Sequence, residues 1–115
     1  MRVRRQFVFE AAHRLPHHPG KCRELHGHSY RLLVTVDRPV DPETGLAIDF
    51  SELKEIVRTE VVDRLDHRFV NDLIDNPTAE VMCVWIWGRL AGALAGLTEI
   101  ELHETRDCSV VYRGE

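Results

Sequence analysis

Cysteine is scarce in this chain, and its count is odd. Cys22, Cys83 and Cys108 are the three cysteines among 115 residues. Small secreted domains that depend on disulfides usually carry a larger and even number of cysteines. The sequence therefore argues against a disulfide framework and favours a protein of the reducing cytoplasm.

Long hydrophobic runs are missing as well. No apolar stretch of about 7–15 residues follows the basic residues near the N-terminus, so we expect no secretory signal peptide. The most apolar segment, residues 81–97, contains Arg89 and three glycines and is shorter than the roughly 20 residues that span a membrane. We expect a buried helix there and no membrane partner.

An excess of positive charge is absent too. The chain holds 15 Lys and Arg against 19 Asp and Glu, a formal net charge of −4, which argues against nucleic acid as a partner. The content of 43% hydrophobic and 30% charged residues is typical of a globular protein. Because no linker, repeat or low-complexity tract interrupts the chain, we expect one domain over residues 1–115.

The pattern of apolar residues predicts four strands and two helices. The elements, in chain order, are strands over residues 2–13 and 26–37, a helix over about 51–65, a second helix from Asn76-Pro77, and strands over about 98–105 and 108–113. This β-β-α-α-β-β order indicates an α+β fold with an antiparallel sheet and the helices on one face. Such a sheet leaves two edges that need cover, and association of several subunits would supply it.

Capping residues set the expected helix starts. Asp49 or Ser51 can cap the first helix, and Asn76 followed by Pro77 is typical of the start of a second one. The second helix is expected to turn five residues inward, namely Val81, Val84, Trp85, Gly88 and Ala91.

Three histidines form the strongest chemical signal. Residues two apart on a strand point to the same side, so His26 and His28 can reach one metal ion. His13 ends the alternating face of the first strand, and antiparallel pairing would bring it to the same place. Three imidazoles with an open fourth position describe a catalytic zinc site better than a structural one. We expect the loop residues His17 and His18 to be solvated.

Cys22 lies in a polar loop between Lys21 and Arg23. A nearby metal ion and cationic neighbours favour the thiolate. Cys22 is therefore a candidate for a fourth zinc ligand or for a general base, and its spacing does not decide between them. Cys83 lies in an apolar helix and is expected to be a small buried hydrophobe.

Two carboxylates complete the candidates. Asp66 and His67 are neighbours at the end of the first helix, and an acid–base pair between them requires that the helix has ended. Glu104 continues the apolar face of Ile100 and Leu102. It is either a solvated strand end or an acceptor for a heterocycle with two adjacent N–H donors.

These candidates lie within a series of motifs that covers nearly the whole chain. The motifs are Phe9-Glu10-Ala11-Ala12-His13-Arg14-Leu15, Cys22-x-x-x-His26-Gly27-His28-Ser29, Asp49-Phe50-Ser51-Glu52-Leu53-Lys54, Leu65-Asp66-His67, Asn71-Asp72, Asn76-Pro77-Thr78-Ala79-Glu80, Glu104-Thr105 and Tyr112-Arg113-Gly114-Glu115. Together they resemble the 6-pyruvoyltetrahydropterin synthase superfamily and, within it, the branch of 6-carboxy-5,6,7,8-tetrahydropterin synthases. The resemblance implies the tunnelling fold (T-fold), whose subunits assemble into barrels, usually homohexamers built from two trimers, with active sites between subunits.

The resemblance also assigns roles to individual residues. The implied roles are zinc ligation by His13, His26 and His28, catalytic proton acceptance by Cys22, a second acid–base element at Asp66 and His67, anchoring of the pterin ring by Glu104, and further substrate contacts from Phe50, Thr78 and Glu80.

By the same resemblance, the substrate is 7,8-dihydroneopterin triphosphate and the products are 6-carboxy-5,6,7,8-tetrahydropterin, acetaldehyde and triphosphate. This reaction serves 7-deazaguanine (preQ0 or queuosine) production. Three residues separate Cys22 from His26, whereas the pyruvoyl-forming branch places more residues there. A folate-linked branch carries Glu where this chain has Arg23. Three alternatives remain. They are 6-pyruvoyltetrahydropterin synthase activity, a small zinc hydrolase, and a non-catalytic module stabilised by zinc, in which Cys22 is the fourth ligand.

Overall fold

Both alternating segments at the start of the chain form long strands. In a computed structural model that describes residues 1–115, β1 spans Arg2–His13 and β2 spans His26–Asp37. The elements that follow are α1 (Phe50–Val57), a π-helical turn (Arg58–Val62), α2 (Asp63–Leu65), β3 (Arg68–Phe69), α3 (Ala79–Leu90), β4 (Leu97–His103) and β5 (Ser109–Tyr112). Two short 3-10 turns lie at Lys21–Arg23 and Val70–Asp72. The predicted β-β-α-α-β-β order is confirmed, and β3 is an addition to it.

The strands form one five-stranded sheet in the order β3-β1-β2-β4-β5. Strands β1 and β2 pair antiparallel with His13 opposite His26, and β4 and β5 continue the antiparallel pattern. Strand β3 lies parallel to β1, with Arg68 opposite Ala11. The sequence analysis missed β3 because two residues are too few to display alternation.

The helices cover one face of the sheet, as the sequence predicts. Alternate residues of β1 and β2 point into a core of 23 buried residues, and Phe9, Tyr30 and Leu32 are among the most deeply buried. This apolar face ends at the histidines, where His13 is fully buried and His26 and His28 are half-buried. The core therefore runs directly into the group of candidate ligands.

The first helical segment occupies residues 50–65, close to the predicted range. Asp49 caps it, because its Oδ1 accepts a hydrogen bond from the N–H of Ser51 at 2.7 Å. The segment ends at Leu65, since Asp66 has extended backbone angles. None of the helices is both long and apolar enough to cross a membrane.

The second helix starts later than its sequence suggested. Helix α3 begins at Ala79, and its N-cap is Thr78, whose Oγ1 accepts the N–H of Val81 at 3.1 Å. Asn76 instead adopts a φ of +48°, and its carbonyl accepts the N–H of Thr78 at 2.8 Å. Asparagine tolerates this left-handed conformation, so Asn76 and Pro77 form a turn before the helix and do not cap it.

The predicted inward face of α3 is wrong. Residues Met82, Cys83, Ile86 and Leu90 are buried, whereas Val81 is 36% exposed and Val84 is 55% exposed. Trp85 is half-buried, and Gly88 and Ala91 are exposed. Because α3 is apolar on all sides, its periodicity does not indicate which side faces the sheet.

Gly96 lies between α3 and β4 in the chain and packs against the end of β2. Its φ is +83°, and its carbonyl accepts the N–H of Asp37 at 2.8 Å. A β-carbon added to Gly96 would lie 2.6 Å from the carbonyl oxygen of Asp37. Glycine alone suits both this conformation and this close approach.

We expect Gly96→Ala to lower the free energy of unfolding by roughly 1–3 kcal/mol, because alanine adds positive-φ strain and a backbone clash. Urea denaturation followed by circular dichroism measures the change. Gly92→Ala is the matched control, since its added β-carbon meets no atom within 4 Å, and we expect a change within about 0.5 kcal/mol. Equal effects of the two substitutions would contradict the role of Gly96.

Candidate metal centre and active site

The pairing of β1 with β2 brings three histidines together. His13 lies opposite His26, and Ala11 lies opposite His28, so all three rings occupy one end of the strand pair. One nitrogen from each ring lies within 4.8 Å of the other two. The predicted grouping of the three histidines is therefore present in the fold.

Backbone carbonyls fix the tautomers of two of these rings. Nδ1 of His13 donates to the carbonyl of Pro77 at 2.8 Å, and Nδ1 of His26 donates to the carbonyl of Glu24 at 2.8 Å. A carbonyl only accepts hydrogen bonds, so each Nδ1 carries the proton and each Nε2 keeps a lone pair. The two Nε2 atoms lie 2.9 Å apart. Two lone pairs at this distance repel each other unless a cation lies between or beside them.

Burial prepares the cluster for a metal ion. Desolvation lowers the pKa of His13 and of His28 below the ordinary value of 6.5, although the Glu104 carboxylate acts in the opposite direction. Nε2 of His28 is buried and has no hydrogen-bond partner. An unpaired buried nitrogen is costly, and a cation would satisfy it together with the facing lone pairs. The three histidines therefore fit a metal ion. In metal sites, a histidine ligand usually donates a hydrogen bond from its second ring nitrogen to another group of the protein.

Glu104 borders the three histidines. Its carboxylate oxygens lie 3.7 Å from Nε2 of His28 and 3.9 Å from Nε2 of His13, and its side chain is 25% exposed. A cavity of about 350 Å³ opens beside it, which we call the Glu104 cavity, with His18, Thr78, Glu80 and Glu104 in its lining. The fold thus brings Glu104 to the cluster and gathers Thr78 and Glu80 beside it.

Asp66 and His67 form a pair, as their position after the helix allows. Nδ1 of His67 lies 3.0 Å from Oδ1 of Asp66, and His67 has a φ of +59°. Asp66 also accepts the N–H of Glu10 at 2.9 Å, and this bond and then the contact with His67 lower the pKa of the Asp66 carboxyl. A cavity of about 580 Å³, the His67 cavity, has His28 and His67 in its lining. His67 of the pair and His28 of the cluster therefore line the same cavity.

Cys22 is not one of the grouped donors. It lies in the 3-10 turn before β2 and is half-buried, and its carbonyl accepts the N–H of Leu15 at 2.9 Å. The group of donor atoms within 4.8 Å of one another consists of the three histidines alone. Cys83 is buried in α3 as expected, and desolvation raises the pKa of its thiol to about 12.

Phe50 lies far from the cluster in its own chain. Its side chain is 58% exposed, and its carbonyl accepts a hydrogen bond from Nη1 of Arg5 at 3.0 Å. Arg5 precedes Ala11, the strand partner of His28, by six positions on β1. At about 3.3 Å per residue, Arg5 lies about 20 Å from Ala11 along the strand. Phe50 belongs to the lining of neither cavity.

Two residues near the cluster were not singled out by sequence. His18 is exposed as expected, yet it belongs to the lining of the Glu104 cavity. Tyr30 is fully buried, and its hydroxyl lies 3.1 Å from Nδ1 of His13. Desolvation raises the pKa of the Tyr30 phenol well above its ordinary value. The position of Tyr30, two residues after His28 on the same strand face, was the available signal.

A family model described as 6-pyruvoyl tetrahydropterin synthase matches residues 2–115. The chain belongs to the 6-pyruvoyl tetrahydropterin synthase family. This membership confirms the resemblance read from the motifs, and the family's T-fold is the fold described above.

Individual relatives of this family agree with that assignment. The chain is 44% identical over 117 residues to the 6-carboxy-5,6,7,8-tetrahydropterin synthase of Synechocystis sp., which covers 96% of this chain and 91% of the relative. It is 34% identical to the 6-pyruvoyl tetrahydrobiopterin synthase of Drosophila melanogaster, over 96% of this chain and 77% of that one. The structure of 6-pyruvoyl tetrahydropterin synthase from Caenorhabditis elegans matches with a TM-score of 0.91 at 26% identity, over 100% of this chain and 96% of that one. The prediction of a pterin synthase enzyme is thereby confirmed.

We expect His28→Ala to lower the affinity for a divalent metal by more than about 100-fold, because loss of outer-shell partners alone costs about 10–100-fold. Metal content after dialysis, measured by inductively coupled plasma mass spectrometry, tests this. His17→Ala is the control, since His17 is an exposed loop residue outside the donor group, and its metal content should be that of the wild type. Unchanged metal in His28→Ala would refute the ligand assignment.

Proposed function

We propose that the protein is a zinc-dependent 6-carboxy-5,6,7,8-tetrahydropterin synthase. It would convert 7,8-dihydroneopterin triphosphate into 6-carboxy-5,6,7,8-tetrahydropterin, acetaldehyde and triphosphate. The observation that carries the proposal is the convergence of three imidazoles beside a carboxylate, in a chain 44% identical to a synthase of that name. A relative with the same name occurs in Haemophilus influenzae, at 35% identity.

The spacing of the cysteine supports this branch of the family. Three residues separate Cys22 from His26, as in the carboxytetrahydropterin synthases that the motif resembles. The second candidate function is 6-pyruvoyltetrahydropterin formation from the same substrate, which the relatedness to the Drosophila enzyme keeps open. The two activities differ in whether the side-chain carbons stay attached to the pterin.

In this proposal His13, His26 and His28 hold the zinc ion. All-imidazole ligation with room for further ligands suits catalytic zinc. When bound, zinc supplies a Lewis acid that polarises oxygen atoms of the substrate side chain. Burial of the rings keeps their lone pairs available, since it disfavours the protonated imidazole.

The carboxylate of Glu104 anchors the pterin ring. Two carboxylate oxygens can accept two parallel N–H bonds from a ring with adjacent donors, and the Glu104 cavity offers the space for such a ring. Thr78 and Glu80 supply further contacts from the first turn of α3. Oγ1 of Thr78 already accepts the N–H of Val81, so its hydroxyl proton remains free to donate to substrate.

Proton transfers are assigned to two groups. The Cys22 thiolate accepts a proton from the substrate side chain. His67 takes up or returns a proton on the other side of the ring, and Asp66 orients it through the 3.0 Å contact with Nδ1. The reaction then needs loss of triphosphate, the uptake of one molecule of water, and cleavage of the side chain that releases the two-carbon aldehyde. It needs no external oxidant or reductant.

The location of Phe50 supports an active site shared between subunits. Phe50 belongs to the lining of neither cavity of its own chain, so a substrate contact from Phe50 would serve a neighbouring subunit. Both outer strands of the sheet, β3 and β5, have a free edge, and free edges favour strand association. We propose a homohexamer built from two trimers, in which each single-domain subunit of residues 1–115 contributes to more than one site.

The proposed setting is the cytoplasm, where the product enters 7-deazaguanine production. Neither nucleic acid nor a membrane is a partner in this proposal, in accord with the net charge of −4. A competing hypothesis is a zinc-stabilised module without catalysis. It requires that metal removal unfolds the protein, whereas a catalytic centre leaves a folded, inactive apoprotein.

The products decide the proposed function. We expect zinc-loaded protein incubated with 7,8-dihydroneopterin triphosphate to release acetaldehyde and 6-carboxy-5,6,7,8-tetrahydropterin, both identified by mass spectrometry. A 6-pyruvoyl product that keeps the side-chain carbons would assign the second candidate function. No turnover by folded, metal-loaded protein would refute both.

The role of Cys22 is tested separately. We expect Cys22→Ala to keep its zinc and to lose about 10²–10⁴-fold in kcat, the usual size of a general acid–base contribution. Cys83→Ala is the matched control, because its thiol is buried in α3 and stays protonated. Activity of Cys22→Ala equal to that of Cys83→Ala would remove Cys22 from the mechanism.

A further inference from the structure

The Glu104 cavity contains a side chain to which neither the family motifs nor the proposed mechanism gives a role. The imidazole of His18 belongs to the lining of this cavity, together with Glu104, Glu80 and Thr78. His18 is exposed, so its ring is reachable by a molecule that enters the cavity. Glu80 and Glu104 are hydrogen-bond acceptors when ionised. An imidazole N–H from His18 would add a hydrogen-bond donor, so that the cavity offers both donors and acceptors to a ligand.

The loop selects the tautomer of the neutral His18 ring. The N–H of Gly20 donates to Nδ1 of His18 at 2.9 Å. A backbone N–H only donates, so Nδ1 holds a lone pair and the ring proton of neutral His18 lies on Nε2. The bond to Gly20 is the one hydrogen bond of the His18 side chain, and the Nε2–H is therefore an available donor.

Gly20 is part of this arrangement. A β-carbon added to Gly20 would lie 3.2 Å from Cε1 and 3.4 Å from Nδ1 of the His18 ring, closer than a relaxed contact. The absence of a side chain at Gly20 therefore lets the imidazole lie against the turn. The turn therefore holds the imidazole of His18 in the lining of the cavity.

We propose that His18 is a specificity-determining residue that recognises the ring carbonyl of a 2-amino-4-oxo heterocycle. The inference rests on the proposed function, because it takes Glu104 as the anchor of the pterin ring. One edge of such a heterocycle carries an amino group, a ring N–H and then a carbonyl oxygen. The two donors match the carboxylate of Glu104, and the carbonyl accepts the Nε2–H of His18. A 2,4-diamino ring presents an amino donor to the donor of His18, and its N3 carries no proton for Glu104, so both residues disfavour it. The part of the selectivity that His18 supplies is the part that its substitution removes.

Equilibrium binding to the zinc-loaded protein tests this role without turnover. The probes are neopterin, which carries the 2-amino-4-oxo edge, and 2,4-diamino-6-hydroxymethylpteridine, which lacks the carbonyl. Their fluorescence reports the dissociation constant. We expect His18→Ala to weaken neopterin binding by about tenfold and to leave the diamino compound within about twofold. Selectivity between the two rings should thus fall by about the same factor.

Three further variants sharpen the test. His18→Gln restores an N–H donor and should recover part of the selectivity. Gly20→Ala keeps the imidazole but displaces it, and it should reduce selectivity to an intermediate value. His17→Ala removes the neighbouring exposed histidine and should leave both affinities unchanged.

The outcomes separate this inference from the proposed function. Wild-type selectivity in His18→Ala, with neopterin binding lost in Glu104→Gln, would overturn the role of His18 and leave the pterin site in place. Failure of the zinc-loaded wild type to bind neopterin, with no further effect of Glu104→Gln, would overturn the proposed function and this role with it. A parallel loss of both probes in His18→Ala would also refute carbonyl recognition, because selectivity would be unchanged.

Discussion

The antiparallel register of β1 and β2 is the constraint on which the site depends. It places His13 opposite His26 and Ala11 opposite His28, so that three imidazoles meet at one end of the strand pair. A slip of one residue would turn the alternate residues of one strand to the other face of the sheet. Such a slip would also expose Phe9 or Tyr30, which the core buries almost completely. The burial of apolar surface that stabilises the fold therefore also fixes the register that brings the three histidine side chains together.

Desolvation then gives the histidines their chemical state. Rings removed from water resist protonation, and the carbonyls of Pro77 and Glu24 hold the protons on Nδ1 of His13 and His26. The remaining lone pairs converge, and the nearest carboxylate, Glu104, stands 3.7–3.9 Å away. A cluster of this kind is poorly satisfied by the chain itself, and a bound cation is the natural way to stabilise it.

Two cavities with different chemical characters adjoin residues of the candidate site. The Glu104 cavity offers carboxylate acceptors and the ring donor of His18, a surface suited to the polar edge of a flat heterocycle. The His67 cavity offers the Asp66–His67 pair, and both partners are held by the backbone of Glu10. The proposed function assigns recognition to the Glu104 cavity and proton transfer to the His67 cavity. Under the proposed function, one strand pair supports both tasks.

Local patterns in the sequence determined four of the five strands, the first helix and the grouping of the three candidate ligands. Alternation with a period of two places His26 and His28 on one side of β2, and Asp66 leaves the helix because the chain turns extended after Leu65. The same local reasoning failed for α3, which is apolar on all sides, and for its start, where Asn76 forms a turn. Tertiary structure alone decided which face of α3 is buried, that Glu104 and His18 share a cavity although 86 positions separate them, and that Phe50 lies at the far end of the sheet. These features depend on packing between distant segments, and packing is set by the whole core at once and not by the residues nearby in the chain.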